Sequence, residues 1–307
     1  MDVLVTGGTG FVGHAVVREL SRSGHRVRLL ARPPGREAVR EFAARHGATV
    51  VVGDVLEPAT LAAACAGVAA VVHLVGIISE VGRNTFANAH IQATENVLRA
   101  AQTAGVRRYL QMSALGTRPA AVSRYHQTKW AAEERVRGSG LEWTILRPSL
   151  IYGPEDHFVN LFAAISRWSP VMPVMGSGRG LLQPVAVEVV AACFGRALTE
   201  PPTVGRVLEV CGRERLSLVQ LLTTLLTVLR RRRLLLLIPL AVARWQATVL
   251  EWVYPKLLGR AAPFNRDQLL MLQEDNVGDP QPIIDLLAIQ PGSFRDGIAR
   301  WLAPPGG

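Results

Sequence analysis

The glycine-dense stretch beginning at residue 7 constrains the fold more than any other feature of the chain. Asp2-Val3-Leu4-Val5-Thr6 is a short apolar run, Gly7-Gly8-Thr9-Gly10-Phe11-Val12-Gly13 follows it, and an amphipathic segment runs from His14 to Ser23. This order predicts a buried strand, a tight turn without Cβ atoms, and a helix whose N-terminus points at the turn. A helix N-terminus presents unpaired N–H groups and partial positive charge, which suit a pyrophosphate. Glycines let the backbone approach the phosphates and let the helix pack close on the strand. The spacing fits both G-x-G-x-x-G (Gly8, Gly10, Gly13) and G-x-x-G-x-x-G (Gly7, Gly10, Gly13) in the strand-then-helix context a dinucleotide site demands.

The first half then alternates strands and helices in short steps. Strands are expected at 25–31, 48–52, 69–74, 107–112 and 141–146. Helices are expected at 36–46, 58–66, 84–104 and 125–137. Such alternation implies right-handed crossovers and a parallel sheet covered on both faces, an α/β doubly wound fold of Rossmann type. The second half is less regular. Residues 153–180 read as loop with one helix at 160–167, 187–198 as a helix, and 206–210 as a strand returning to the sheet. We expect a dinucleotide-binding unit over 1–150, rejoined near 184–211, and a smaller, mostly helical substrate or partner lobe over 151–307.

Ligands of such sheets bind at the carboxyl ends of the strands. After the second strand stands Arg32, where an acid would bond the ribose 2′-hydroxyl of NAD but an arginine can pair with a 2′-phosphate, so NADP(H) is favoured over NAD(H). Asp54 follows the third strand, placed to accept from an adenine amino group or to cap the next helix. Leu74-Val75-Gly76 follows the fourth, with Gly76 allowing close passage of the cofactor, and His73 just before reads as a core histidine. Ser113 follows the fifth. Tyr125 and Lys129 then share one helical face at i, i+4. An ammonium beside a phenol would lower the tyrosine pKa into a useful range, with Ser113 orienting a substrate hydroxyl or carbonyl. Only two of the 34 basic residues are lysines, and one of them is here.

Composition narrows the partners. Over 307 residues, 49% hydrophobic, a sizeable core is affordable. Cys65, Cys193 and Cys211 are scattered and read as small core residues of a reducing compartment, and the seven histidines show no ligand spacing, so no metal is expected. The net charge of +10 favours anionic partners, but the arginines are dispersed without interleaved aromatics, which argues against nucleic acid. Arg230–Arg233 lead into Leu234–Ile238 and Pro239, too short an apolar run to span a membrane, read as a buried strand ending at proline. A helix over 240–254 has Arg244, Thr248 and Glu251 on one stripe and Trp245, Val249, Trp252 and Val253 elsewhere. It is expected to be buried in its lobe, bound to a partner or lying on an anionic membrane surface. A strand starting at residue 2 leaves no room for a signal peptide, so we expect a cytoplasmic protein, peripheral on the inner face of a membrane.

Together these residues resemble the short-chain dehydrogenase/reductase superfamily in its extended or atypical branch, including Arg147-Pro148-Ser149-Leu150-Ile151-Tyr152-Gly153-Pro154, which looks like the loop packing on the nicotinamide. HLVGIISEVGRNTF (73–86), MSALG (112–116), SRYHQTKWAAEE (123–134) and RDQLLMLQEDNV (266–277) are similar to one subgroup, the nucleotide-binding accessory subunit of respiratory complex I and its bacterial relatives. That resemblance implies a tightly bound NADP(H) held by Gly7–Gly13, Arg32, Asp54, Leu74–Gly76, Tyr125, Lys129 and Pro148, and a membrane respiratory complex as partner. Two positions depart from the pattern. His90 stands where many members carry asparagine, and Glu188 is all that remains of a His-and-acids cluster near 183–189. Three functions follow as expectations: an accessory or assembly subunit with NADP(H) as ligand, an oxidoreductase or sugar-nucleotide epimerase-like enzyme acting on a small hydroxyl or carbonyl substrate through Ser113, Tyr125 and Lys129, or a sensor of NADPH level.

Overall fold

The computed structural model describes every residue except 33–36, 260, 261, 263 and 304–307. Its strands are β1 (Asp2–Thr6), β2 (Arg26–Ala31), β3 (Thr49–Val52), β4 (Ala70–His73), β5 (Arg108–Met112), β6 (Glu142–Pro148), β7 (Ile151–Tyr152), β8 (Val171–Met175), β9 (Leu181–Leu182), β10 (Val185–Ala186), β11 (Arg206–Val210), β12 (Leu216–Ser217) and β13 (Leu234–Ile238). The α-helices are α1 (Phe11–Arg22), α2 (Glu37–Arg45), α3 (Leu61–Cys65), α4 (Ala93–Thr103), α5 (Arg124–Arg137), α6 (Phe158–Trp168), α7 (Val187–Ala197), α8 (Leu218–Val228), α9 (Leu240–Leu258), α10 (Arg266–Met271), α11 (Gln281–Leu287) and α12 (Phe294–Leu302).

Seven strands form one sheet in the order β11-β6-β5-β4-β1-β2-β3, parallel at every pairing. Side chains alternate across a strand, and here both faces are dry. Val3 and Val5 pack with α1, α2, α7 and α11 on one face, whereas Leu4 packs with α3 and α4 on the other. The chain winds outward from β1 in both directions, so the crevice between the carboxyl ends of β1 and β4 is the topological switch point.

A smaller, mostly helical C-terminal lobe has its own core, in which Phe162, Leu221, Leu225, Phe294 and Ile298 bring together α6, α8 and α12. Ser217 and Gln220 close a capping box on α8, fixing where that helix starts. The chain order is not respected strictly, because Ile283 and Leu287 of α11 return to the main core.

Four readings of the sequence change. The first helix begins at Phe11 rather than His14, because Gly10 is its N-cap and Phe11 and Val12 form its first turn. The long helix expected from residue 84 opens with a π-helical turn, Ala87–Gln92, and becomes regular only at Ala93. The region expected as loop at 153–180 contains β8, which pairs in parallel with β13. Finally, β13 forms as a strand but is only half buried: Leu235 packs on the lobe core, whereas Leu234, Leu236 and Leu237 are exposed, β8 being its one partner strand among the described residues.

Candidate functional site

At the switch point lies a cleft of about 390 Å³ lined by Gly7, Thr9, Gly10, Phe11, Val12 and Gly13 from the turn, by Arg32 and Asp54, and by Leu74, Val75 and Gly76. Three glycines there do three different things. Gly7 has φ +73°, and a Cβ on it would sit 2.9 Å from the backbone between Leu74 and Val75, so the turn passes against the chain leaving β4. A Cβ on Gly13 would collide with the Gly7 carbonyl oxygen and the Gly8 backbone, which is the close helix–turn approach the motif exists to permit. Gly10 is different: a Cβ there meets only the Gly7 oxygen at 3.6 Å, and the space above it is open cleft. The α1 N-terminus carries no side-chain cap and no acid in its first turn. Free N–H groups, a positive helix end and a cradle kept clear of Cβ atoms fit a diphosphate.

Gly8 packs inward against Leu29 and Val5 rather than lining the cleft. Arg32 is exposed at the cleft wall, and its neighbours 33–36 lie outside the described residues. Asp54 is largely committed: one carboxylate oxygen accepts from the Leu56 N–H at 3.0 Å and the other pairs with Arg83 at 2.9 Å. Pro148 ends β6 and is buried, paired in register with Val210, and it does not line this cleft.

Ser113, Tyr125 and Lys129 do not line this cleft; α5 stands behind its Met112 and Gly76 wall. Ser123 caps this helix by accepting from the His126 N–H, which sets the register that sends Lys129 inward. Lys129 is 2% exposed and its Nζ donates to the Met112 carbonyl at 3.1 Å. A Cβ on Gly76 would stand 2.9 Å from that Nζ, so the missing side chain of Gly76, a residue of the cleft wall, leaves room for the buried ammonium behind it. Burial pulls the Lys129 pKa down to about 8, against the opposing pull of Glu133.

Tyr125 is half-buried among Phe86, His90 and His126, all within about 6 Å of its ring and all roughly edge-on. Burial pushes its phenol up to about 12, with no countering cation. The i, i+4 spacing therefore puts Tyr125 and Lys129 on one helix face, as expected, but does not lower the tyrosine. The lysine turns to the end of β5 instead.

Ser113 is placed differently from its expected role. Its hydroxyl is buried and donates to Glu133 at 2.6 Å. Glu133, wholly buried, also accepts from Arg147 at 2.6 and 2.8 Å and from Arg137 at 2.6 Å. A buried carboxylate with two guanidiniums is a demanding acceptor, and it holds the serine hydroxyl in the protein interior. Glu133 was not singled out from the sequence, although its position four residues beyond Lys129 on the same face would have pointed to it.

His90 is a further constraint. Its Nδ1 lies 2.8 Å from the Thr128 hydroxyl and its Nε2 3.2 Å from the Ile77 N–H. Thr128 in turn donates to the Arg124 carbonyl. Nε2 is also 3.2 Å from the Ile77 carbonyl, so the neutral ring bridges Thr128 and Ile77 in either tautomer. Burial, with Lys129 nearby, drops its pKa to about 2. The ring thus ties the chain beyond Gly76 to α5. His73, expected to be a satisfied core residue, has Nδ1 2.6 Å from the Thr6 hydroxyl, while its buried Nε2 has no partner.

Beside Tyr125 lies a second cavity of about 700 Å³, walled by Phe86, Arg124, Arg244, Glu251, Asn265 and Asp267 among others. Asp267 accepts from the Tyr125 backbone N–H at 2.8 Å, which seats α10 against the start of α5. Arg266 pairs with Glu251 at 2.7 Å and Arg124 with Glu80 at 3.1 Å, whereas Arg244 makes no ion pair among the described residues.

Residues 7–161 match the family model described as NAD(P)H-binding. The mitochondrial NADH dehydrogenase (ubiquinone) 1 alpha subcomplex subunit 9 of Arabidopsis thaliana is 29% identical over 89% of this chain and 70% of its own length. A ceramide reductase of Caulobacter vibrioides is 33% identical over 62% of this chain, which spans only 60% of that protein. An Escherichia coli NADPH-dependent quinone oxidoreductase, solved with NADPH, has the same fold, with a TM-score of 0.75 at 21% identity over 97% of this chain and 99% of that one. With the parallel sheet, the glycine cradle at its switch point and this match over half its length, the chain belongs to the NAD(P)H-binding family.

Proposed function

We propose that this protein holds NADP(H) in the 390 Å³ cleft as a long-lived ligand and serves as an accessory or assembly subunit related to respiratory complex I. The division of labour is the one expected from the sequence, with 1–150 holding the nucleotide and 151–307 meeting a partner through 230–254, either a membrane respiratory complex or an anionic membrane surface. The observation that carries this reading is the diversion of the catalytic set. Ser113 is bonded to Glu133, and Tyr125 is pushed up to about 12 instead of down. Gly7–Gly13 bind the diphosphate through main-chain N–H groups, Lys129 reaches the ribose past Gly76, and Arg32 meets the 2′-phosphate. Arg32 supports NADP(H) over NAD(H), since no acid stands at that strand end to take a ribose 2′-hydroxyl. The complex I subunit among the relatives supports the accessory role.

A second reading has its own support. Tyr125 faces Phe86 at the wall of the 700 Å³ cavity, and the ceramide reductase among the relatives carries a reductase name. A bound nicotinamide supplies hydride transfer; Tyr125 would deliver the proton to the reduced oxygen. Native purification under mild extraction, with identification of the bound nucleotide and of co-purifying proteins, tests the first reading. NADP(H) retained through gel filtration, with Arg32→Ala shifting preference towards NAD(H), is the expected result. Loss of all nucleotide on desalting would sink it. If instead carbonyl-dependent NADPH oxidation is found and Tyr125→Phe abolishes it, the reductase reading replaces it.

A further inference from the structure

The outer face of the C-terminal lobe exposes more apolar surface than folding explains. Among the described side chains of α9, Ala243 and Ala247 are the fully buried positions, and they pack with Leu269 of α10. The opposite stripe is Val242, Trp245, Val249, Trp252 and Lys256, spaced alternately three and four residues apart, all exposed. Trp245 is 68% and Trp252 63% exposed. The α9 stripe continues into the β8–β13 ribbon, since Pro239 alone separates β13 from α9. In the parallel register Leu234 and Leu236 stand beside Val171 and Pro173, giving the ribbon a wholly apolar outward face. At its far end Leu234 bonds to Pro170, next to Trp168, which is 88% exposed at the end of α6. Half of the six tryptophans in the chain are therefore in water along one continuous run of elements.

Charge distinguishes among occupants. No Asp or Glu occurs from His157 to Val187 or from Arg215 to Leu250, while eight arginines fall in those two segments. Arg231 and Arg233 are partly used, bonding to α6 through Ser166 and Ala163, but Arg230 and Arg232 are exposed, as are Arg167 and Arg244. Lys256 lies 4.3 Å over the Trp252 ring, a cation beside an aromatic at the edge of the stripe. Exposed tryptophans among leucines, fringed by cations, with Glu251 beside the stripe paired to Arg266, are the chemistry of an interfacial anchor on an anionic bilayer. Among the described residues no helix is long and apolar enough to cross a membrane, so the contact is peripheral.

We propose that Trp168, the β13 leucines and the Val242–Lys256 stripe of α9 dock this protein directly onto the surface of an anionic lipid bilayer. The proposal commits to lipid where the functional reading leaves lipid or protein open, and it does not depend on what the cleft does. Because Arg244 and Glu251 lie on the adjacent stripe, the helix that rests on lipid also walls the 700 Å³ cavity.

Flotation of the full chain with vesicles of phosphatidylcholine, alone or mixed with phosphatidylglycerol, tests this. At least tenfold more protein is expected on the mixed vesicles, with a blue shift of tryptophan emission. Arg230→Ser with Arg232→Ser should lower that binding about tenfold or more, and salt should weaken it. Trp245→Ser with Trp252→Ser should abolish the blue shift while NADPH binding, measured in parallel, stays unchanged. Failure of nucleotide binding alone would count against the functional reading and leave this one standing. No flotation of folded protein, variants that bind like the parent, a dimer whose tryptophans are already shielded, or retention only on membranes that keep their proteins would each overturn it.

Discussion

Around the glycine turn the surface of the cleft is main chain, whereas the surroundings of Tyr125 on α5 are side chains. Gly7, Gly10 and Gly13 do their work by lacking atoms, so their behaviour follows from covalent geometry wherever a strand turns into a helix. Ser113, Tyr125, Lys129 and His90 do theirs through partners drawn from distant segments, and those partners decide the outcome. Ser113 answers to Glu133, Lys129 to the Met112 carbonyl, and His90 to Ile77 and Thr128. A motif made of absences transfers between proteins intact, whereas a motif made of side chains transfers only when its neighbours come with it.

The sharpest way to break this contrast is at Glu133. Replacing it with Ala leaves Arg137 and Arg147 without their buried carboxylate and is expected to cost about 3–5 kcal/mol. Urea unfolding measures this, and a loss below about 1 kcal/mol would mean the cluster is not the anchor of the Tyr125 surroundings. Next is Gly13→Ala, whose new methyl meets rigid backbone at Gly7 and Gly8. A loss of about 1–3 kcal/mol is expected, together with nucleotide binding.

Buried histidines on both sides of the site should make the fold sensitive to acid. Folding holds His90 down to about 2 and His73 to about 3, while the unfolded chain takes up those protons below about 6.5. The folded state then binds fewer protons than the unfolded one, so stability is complete above pH 6.5 and falls as pH drops. The slope is on the order of 1.4 kcal/mol per pH unit for each ring. His90→Gln should take about 1.4 kcal/mol per pH unit off that slope between about pH 6.5 and about pH 4; an unchanged slope would assign acid sensitivity elsewhere. The smallest effect on stability is expected from Gly10→Ala, because the apo protein has room for the methyl. Unfolding should move by less than about 0.5 kcal/mol, while NADPH affinity drops at least tenfold because the methyl occupies space the phosphates need. Equal losses of stability and affinity would show that Gly10 and Gly13 play the same part after all.

Much of the α/β half was legible from period and punctuation. Runs such as Val3-Leu4-Val5 and Val71-Val72 read as strands buried on both faces, and the helices between them carried one apolar stripe each. What escaped was set by contacts between remote segments. β8 (Val171–Met175) sits among prolines and glycines that suggest loop, and it is a strand because β13 lies beside it. β13 is a run of leucines, which suggests burial, yet while Leu235 packs on the lobe core, Leu234, Leu236 and Leu237 are exposed. Phe11 and Val12 were assigned to the turn because a helix that starts on a glycine shows no capping side chain.

The sequence by itself determined the NAD(P)H-binding fold and the glycine turn at its switch point, because glycine spacing between a strand and a helix acts within a dozen residues. It also determined the excess of arginine and the long acid-free segments, which are properties of composition. Only the tertiary structure decided that Ser113 faces Glu133, that Tyr125 stays protonated, and that Trp245 and Trp252 look outward. Each of those depends on which remote groups share a low-dielectric interior or leave a face bare, and local spacing does not fix that.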